Sequence, residues 1–302
     1  MKLSVVVPCY NEAVNVSEFE SELSKALLKE KITYEIIFID DGSTDDTYSK
    51  LSLLNKANKN VKVIRFSRNF GKESAMLAGL KNASGSYVAI MDADLQHTPE
   101  MLVLMYKKLI NDDSFDCCCA YKSNREDEGS LKRTLTSLFY KINNKISDVK
   151  LLPGASDFRV FKKSVCDAIT SLDEKTRFLK GMFSWVGFNT IYVPYMPEKR
   201  MYGTSKWSLF KLLKYSLGGI ISFSTKPIKS VFIIGVLALI VGLLNFILMG
   251  NLANRTIILF ISFIMLQLGI ISLYVSRIYS NILNRPCYII KEKLGFNDKR
   301  SK

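Results

Sequence analysis

The chain has 302 residues, 48% of them hydrophobic, so it can bury one large core and still hold apolar segments outside it. Its 42 Lys+Arg against 28 Asp+Glu give a formal charge of +14, which calls for a polyanionic partner: nucleic acid, anionic lipid or a phosphorylated substrate. A single histidine, His97, excludes a histidine-based metal cluster, and the adjacent Cys117-Cys118-Cys119 suits neither a disulfide framework nor spaced zinc ligands.

Met1-Lys2-Leu3 runs directly into a β-branched strand, Ser4 to Val7, without a signal peptide. That strand ends at Pro8-Cys9-Tyr10-Asn11-Glu12, and an amphipathic helix follows to about Lys29. Tyr34 to Ile39 reads as a second strand, closing on Asp40-Asp41-Gly42-Ser43-Thr44. Gly42 supplies turn geometry, and Ser43 or Thr44 can cap a helix over about Asp46 to Asn58. Val61 to Phe66 is the third strand. Ser67-Arg68-Asn69-Phe70-Gly71-Lys72 leads from it into a helix over about Glu73 to Lys81. Tyr87 to Met91 is the fourth strand, ending at Asp92-Ala93-Asp94-Leu95-Gln96-His97. Thr98-Pro99-Glu100 then starts a helix with proline in its first turn.

Strands alternating with helices through short links predict a doubly wound, mostly parallel sheet. Ligands bind outside the carboxyl edge of such sheets. Two carboxylates one residue apart repel unless a cation lies between them or a sugar-nucleotide hydroxyl engages one. Mg²⁺ and Mn²⁺ take oxygen ligands and complete their shell with phosphate. A bare Asp92-x-Asp94 would equally make a solvated acidic turn. Three strands ending in polar, acid-bearing loops on one edge favour a nucleotide–diphosphate pocket.

A further strand falls near Cys117 to Tyr121, with the cysteines as small apolar strand residues of a reducing compartment. Lys122 to Lys132 is charged and loop-like. Leu131 to Ile146 is an amphipathic helix. Gly154 to Arg159 then precedes a helix reaching about Ser171, in which Asp157 could act as an N-terminal cap. Residues 178–187 are apolar enough to pack under a sheet, and Ile191 to Val193 is a last short strand. Arg200 to Trp207 reads as a basic loop.

From Leu209 the chain changes solvent. Leu209 to Ile221 mixes lysines with Leu, Phe and Tyr, as an interfacial helix does. Val231 to Met249 and Thr256 to Ser276 are uncharged runs of about 19 and about 21 residues, each long enough to cross the bilayer. Lys226 and Lys229 precede the first run and Arg277, Arg285, Lys291 and Lys293 follow the second, while the link holds only Arg255. Both chain ends are therefore expected in the cytoplasm. Gln267, a lone polar residue in the second run, suits helix–helix packing. The expected organisation is a soluble domain over 1–207, interfacial helices over 208–229, a two-helix membrane hairpin over 230–277 and a basic cytoplasmic tail over 278–302.

Pro8-x-Tyr10-Asn11-Glu12, Asp40-Asp41-Gly42-Ser43, Asp92-Ala93-Asp94-Leu95-Gln96 and Arg200-x-x-Gly203-x-Ser205-Lys206 together resemble family 2 glycosyltransferases of the polyprenyl-phosphate type. Dolichyl-phosphate mannose synthase is one relative. Arg68 to Glu73, Leu138 to Ser147, Asp157-Phe158-Arg159, Lys180 to Gly187 and Ile221 to Thr225 point to the bacterial bactoprenol (undecaprenyl-phosphate) glucosyltransferases. The likeness covers nearly the whole chain.

The resemblance implies a GT-A domain, Rossmann-like with a mostly parallel sheet, ahead of the interfacial helices and hairpin. It implies a nucleotide-sugar pocket lined by Pro8, Tyr10, Glu12, Asp40, Asp41, Asp92 and Ala93, with Asp94 and Gln96 holding Mg²⁺ or Mn²⁺ against the donor diphosphate. Asp157 matches the catalytic base proposed for such enzymes, and Arg200 and Lys206 match cations that clamp diphosphate and acceptor phosphate. The implied reaction is transfer, with inversion, of a sugar from a UDP-sugar to undecaprenyl phosphate at the bacterial cytoplasmic membrane. Glucose is favoured, with GlcNAc, galactose or GDP-mannose chemistry as alternatives. The same resemblance implies a homo-oligomer, up to a tetramer, and a downstream flippase and second glycosyltransferase.

A nucleic-acid binder is disfavoured, since no recognition motif is present and two spans would have no use. A non-enzymatic membrane protein would not need the acidic loops. A processive polysaccharide synthase would carry a Gln-x-x-Arg-Trp motif, which is missing, and more spans.

Overall fold

The computed structural model describes residues 1–122, 130–175, 177–195, 219, 222–248 and 253–296. Its centre is an eight-stranded sheet in the order β7-β5-β6-β4-β1-β2-β3-β8. The strands are β1 (Lys2–Cys9), β2 (Thr33–Asp40), β3 (Val61–Phe66), β4 (Tyr87–Ile90), β5 (Cys117–Lys122), β6 (Ala155–Lys162), β7 (Thr190–Tyr195) and β8 (Ile290–Leu294). Between them run α1 (Val16–Lys29), α2 (Thr47–Ala57), α3 (Lys72–Asn82), α4 (Pro99–Asn111), α5 (Ser130–Ile146), α6 (Lys163–Ser171) and α7 (Leu179–Trp185). Two long helices, α8 (Lys226–Leu248) and α9 (Ala253–Ile282), come before β8.

Central strands of a parallel sheet are covered on both faces, and β1 and β2 show it: residues 3–7 and 34–40 are all buried. Alternate residues point to opposite layers. Val5, Val7, Ile36 and Phe38 pack with Phe19, Leu23, Leu51 and Leu102 from α1, α2 and α4. Val6, Ile37, Ile39 and Ile64 pack with Ala75, Ala78, Val165 and Met182 from α3, α6 and α7. At the crossing of α3 over β1, a Cβ on Gly79 would lie 2.2 Å from Val6 Cγ1, so only glycine allows this approach. The Thr98 side chain accepts a hydrogen bond from the Met101 amide, with Pro99 in the first turn, so α4 begins where its signals put it.

The sheet is mixed rather than simply parallel. β4, β1, β2 and β3 are parallel neighbours, as expected. β6, however, lies antiparallel between β4 and β5. Residues 155–162, expected to lead early into a helix, form this strand instead, and α6 starts only at Lys163. Phe158, Val160 and Phe161 are buried there, and tertiary burial decides the conformation of a run whose first residues are polar. Asp157 is thus a strand residue and no helix cap.

The second departure is β8. It comes from the segment expected as a basic tail, yet pairs antiparallel with β3 and closes that edge of the sheet. Its lysines remain outward, Lys293 Nζ donating to Asn82 Oδ1 at 2.8 Å. α9 runs on to Ile282, beyond the expected end of its apolar run. The Gln267 side chain donates to the carbonyl of Val231 at 3.1 Å and so ties α9 to α8. Among the described residues, Phe263–Ile282 is long and apolar enough to cross a membrane.

Candidate active site

The loops leaving β1, β2 and β3 at the carboxyl edge knit into one unit. Asn11 adopts a left-handed conformation (φ 54°) that brings its backbone across to the next loop. Its amide donates to Ser43 Oγ at 3.0 Å, and its side-chain oxygen accepts from the Thr44 amide at 2.9 Å. The Glu12 amide donates to Thr47 Oγ1 at 2.8 Å. Tyr10, at the tip, stays 37% exposed beside this floor. Pro8 lies at the end of β1 just beneath it.

Asp40 is fully buried at the end of β2, accepting from the Ser43 amide at 3.0 Å, with Arg65 Nε 3.6 Å away. Asp41 accepts the amides of Phe70 (2.7 Å) and Gly71 (2.9 Å), one on each carboxylate oxygen. Burial pushes Asp41 up to about 6 although both amides pull the other way. Gly42 has φ 67°, and a Cβ there would sit 2.3 Å from the backbone carbon of Arg68. The Asp40-Asp41-Gly42 turn and the loop 67–72 are therefore in direct backbone contact.

That loop delivers Lys72 to the acidic cluster. Its ammonium reaches both oxygens of Asp92, at 2.7 and 2.8 Å, and Asp157 Oδ2 at 3.2 Å. Burial works against the charge on Lys72, but Asp92 and Asp157 outweigh it and hold the ammonium well above the ordinary lysine range. Asp157 takes a second cation, Lys180 Nζ at 3.9 Å, which itself donates to the Ala155 carbonyl at 3.1 Å. Burial would raise the Asp157 carboxyl; Lys180, Lys72 and Arg159 together hold it well below the carboxylate range. The two acids and two lysines form one charged lattice.

Asp94 lies one residue beyond Ala93, which is buried. Asp94 Oδ1 accepts from the Gln96 amide at 3.2 Å, and Leu95 between them is left-handed (φ 57°). This tight turn places Asp94 and Gln96 side by side. His97, given no role from the sequence, is buried behind it, stacked on Phe158 with centroids 4.6 Å apart and near Ser156 Oγ at 3.3 Å. Burial pushes its imidazole down to about 4, so it is neutral.

Among the described residues no group of three or more His, Cys, Asp or Glu could by itself hold a metal. Lys72 matches the charge of Asp92, and the residues that could offer oxygen donors to a divalent ion are Asp94 and Gln96, adjoining in the next turn. A sparse, hard donor set of this kind suits an ion that completes its shell with water and phosphate, as Mg²⁺ does.

Most of the expected positions thus meet at one edge: Pro8, Tyr10, Glu12, Asp40 and Asp41 on one side, Asp92, Ala93, Asp94, Gln96 and Asp157 on the other. Arg200 and Lys206 lie outside the described residues. Lys72 and Lys180 were not anticipated as site residues. Lys72 had a signal, a cation just after Gly71 at the start of a helix on the carboxyl edge. Lys180 had none, because only the sheet's topology brings α7 beside β6.

Acid-bearing loops gathered at the carboxyl edge of a mixed α/β sheet are the arrangement of a GT-A glycosyltransferase. Comparison with known proteins agrees. The profile described as "Glycosyl transferase family 2" matches residues 4–170, and the chain belongs to that family. The SfII prophage-derived bactoprenol glucosyl transferase of Shigella flexneri is 36% identical over 97% of this chain and 98% of its own. The prophage bactoprenol glucosyl transferase homolog of Escherichia coli K12 is 35% identical over 96% of this chain and 99% of its own. Among solved structures, one titled "Crystal Structure of a Mycobacterial Protein" superposes with a TM-score of 0.51 at 18% identity, covering 73% of this chain and 72% of the other, a likeness of fold.

Proposed function

We propose that the protein transfers glucose from UDP-glucose to undecaprenyl phosphate at the bacterial cytoplasmic membrane, giving a polyprenyl-phosphate-sugar and UDP. The carrying observation is the Lys72–Asp92–Asp157–Lys180 lattice, set beside the Asp40-Asp41-Gly42 turn in a chain matched end to end by bactoprenol glucosyl transferases.

Pro8, Tyr10, Glu12, Asp40 and Asp41 form the base and ribose wall, and Asp92 with Ala93 faces the ribose and sugar. Asp94 and Gln96 would hold Mg²⁺ or Mn²⁺. Such an ion supplies Lewis-acid neutralisation of the leaving diphosphate. Lys72 and Lys180 present preorganised positive charge to the phosphates, and the family resemblance assigns Arg200 and Lys206 to the same phosphates.

An acceptor phosphate monoester, with a second pKa near about 6, is already largely dianionic at neutral pH. It needs no base. One of its oxygens attacks the anomeric carbon, the bond from that carbon to the diphosphate oxygen breaks, and UDP leaves with the electron pair. A direct displacement inverts the centre, giving a β-linked product from an α-linked donor. Asp157 positions the two lysines rather than taking a proton, in keeping with its low pKa and its two cations.

The lipid acceptor explains the membrane half. Withdrawing an isoprenoid chain from the bilayer costs about 0.8 kcal/mol per CH₂, so the site must come to the headgroups. α8 and α9 present exposed apolar side chains, Phe232 and Leu266 among them, that suit hydrocarbon. α8 begins against α5, Ser224 Oγ donating to the Ile146 carbonyl at 2.5 Å, and the chain after α9 returns to pair with β3. Departure and return on one side require an even number of crossings, which favours a two-span hairpin with both ends cytoplasmic. The basic surface is attracted by anionic lipid.

The test is a donor panel of UDP-glucose, UDP-GlcNAc, UDP-galactose and GDP-mannose with undecaprenyl phosphate and purified protein. Labelled sugar should enter butanol-soluble lipid from UDP-glucose, and chelation or Asp94→Ala should lower the rate at least 100-fold, the scale of a lost electrostatic stabiliser. No transfer from any donor, or full activity of Asp94→Ala, would overturn the proposal.

A further inference from the structure

The segment that follows the second apolar helix reaches back to the catalytic loop. α9 ends at Ile282, and Asn284 turns the chain in a left-handed conformation (φ 47°). Within a few residues the Tyr288 ring lies flat on Phe66, centroids 4.9 Å apart and planes 8° from parallel. Phe66 in turn meets Phe70 edge-on at 5.8 Å, and the Arg68 guanidinium covers the Phe70 ring at 4.2 Å. The Ser67 amide donates to the Ile289 carbonyl at 3.0 Å, beside the bulge between Arg65 and Phe66. Both ends of the loop 67–72 are thereby accounted for. One end rests on Tyr288 and Ile289. The other end gives Phe70 and Gly71 amides to Asp41 and the Lys72 ammonium to Asp92 and Asp157.

We infer that Tyr288 is a positioning residue. Its stack on Phe66, which itself meets Phe70 edge-on, holds the loop 67–72 in the conformation that grips Asp41 and aims Lys72. The spacing supports a mechanical tie: the five residues 283–287 span at most about 18 Å even fully extended, so the loop's position is set relative to the end of α9. A residue outside the cleft, on the chain returning from the apolar helices, thus sets the geometry within it. The consequence for donor binding rests on the function proposed above; the consequence for the loop does not.

The experiment uses full-length protein in detergent with three variants: Tyr288→Ala, Tyr288→Phe, and Leu294→Ala at the far end of β8 as a control for general loosening of the strand. Hydrogen exchange is followed in the peptide containing residues 67–72, and the KM for UDP-glucose is measured alongside. Losing one aromatic pair should raise exchange at Phe70 and Gly71 about 2- to 12-fold in Tyr288→Ala. KM should rise over the same range with kcat changed less, and Tyr288→Phe should behave as the parent. Unchanged loop exchange in Tyr288→Ala, or an equal rise in Leu294→Ala, would overturn the inference. If the parent protein transfers nothing from UDP-glucose, the proposed function fails, while loop exchange still decides the role of Tyr288.

Discussion

Replacing Lys72 by methionine keeps the length of the stem and removes the charge. In the parent protein the ammonium satisfies both oxygens of Asp92 and one of Asp157. Hydrogen bonds to charged groups contribute about 1.5–3 kcal/mol each. Here Lys72 is 33% exposed and Asp92 34%, so solvent screens the contacts and the lower end of that range applies. Counting one contact for each of the two carboxylates, the low end amounts to about 3 kcal/mol, part of which water recovers once the acids are freed. Stability should thus fall by about 1–2 kcal/mol, a few degrees in thermal midpoint for a chain of this size. The catalytic loss should be larger. A preorganised positive donor facing developing charge contributes about 10²–10³ in rate. Lys180 keeps its own pairing with Asp157, at 3.9 Å. The expected result is a kcat/KM about 100-fold below the parent, about 2.7 kcal/mol in the barrier, with the protein still folded. Transfer of labelled glucose into lipid, measured alongside a thermal melt, reads both quantities. A Lys72→Met protein within threefold of the parent would show that the lysine only balances the charge of Asp92 and Asp157, and the lattice would lose its catalytic meaning.

Two further outcomes follow from the electrostatics. Asp157→Asn should lower turnover about 10- to 100-fold by the same factor from pH 5.5 to 8.5, because the residue anchors lysines and carries no proton; a loss confined to the acid side of pH–rate profiles would refute that. Asp41 sits at about 6 against an ordinary 3.8, so the folded protein binds this proton more readily than the unfolded chain. Its contribution to stability is therefore present below about pH 4 and lost as pH rises through 6, an effect of about 2–3 kcal/mol. Asp41→Asn should remove that slope, and thermal midpoints from pH 4.5 to 8 should approach those of the parent at low pH and depart from them at high pH. Parallel curves would refute the assignment.

The first four strands were legible because buried parallel strands are continuous apolar runs, as in Val5-Val6-Val7 and Ile36-Ile37-Phe38-Ile39, each closed by a polar turn. The acid-bearing loops were legible for the same reason, since topology puts every such turn on one edge. β6 was hidden because Ser156, Asp157 and Arg159 interrupt its pattern, and its place is set by β4 and β5, far away in sequence. β8 was hidden because Lys291, Glu292 and Lys293 look like a solvated tail, which is also what keeps an edge strand from pairing with another molecule. The partnership of Lys72 with Asp92 and Asp157 joins positions 20 and 85 residues apart, beyond any local periodicity.

The order of the strands along the chain also governs how the protein is made. β3 emerges early from the ribosome, but its outer neighbour follows both apolar helices. Throughout that interval the edge of β3 stays open, and the nascent domain cannot complete its hydrogen-bond ladder until both long helices have been made. Closure of that sheet edge is thereby made to wait for both helices, so a chain that stops short of residue 290 is left with an unfinished sheet.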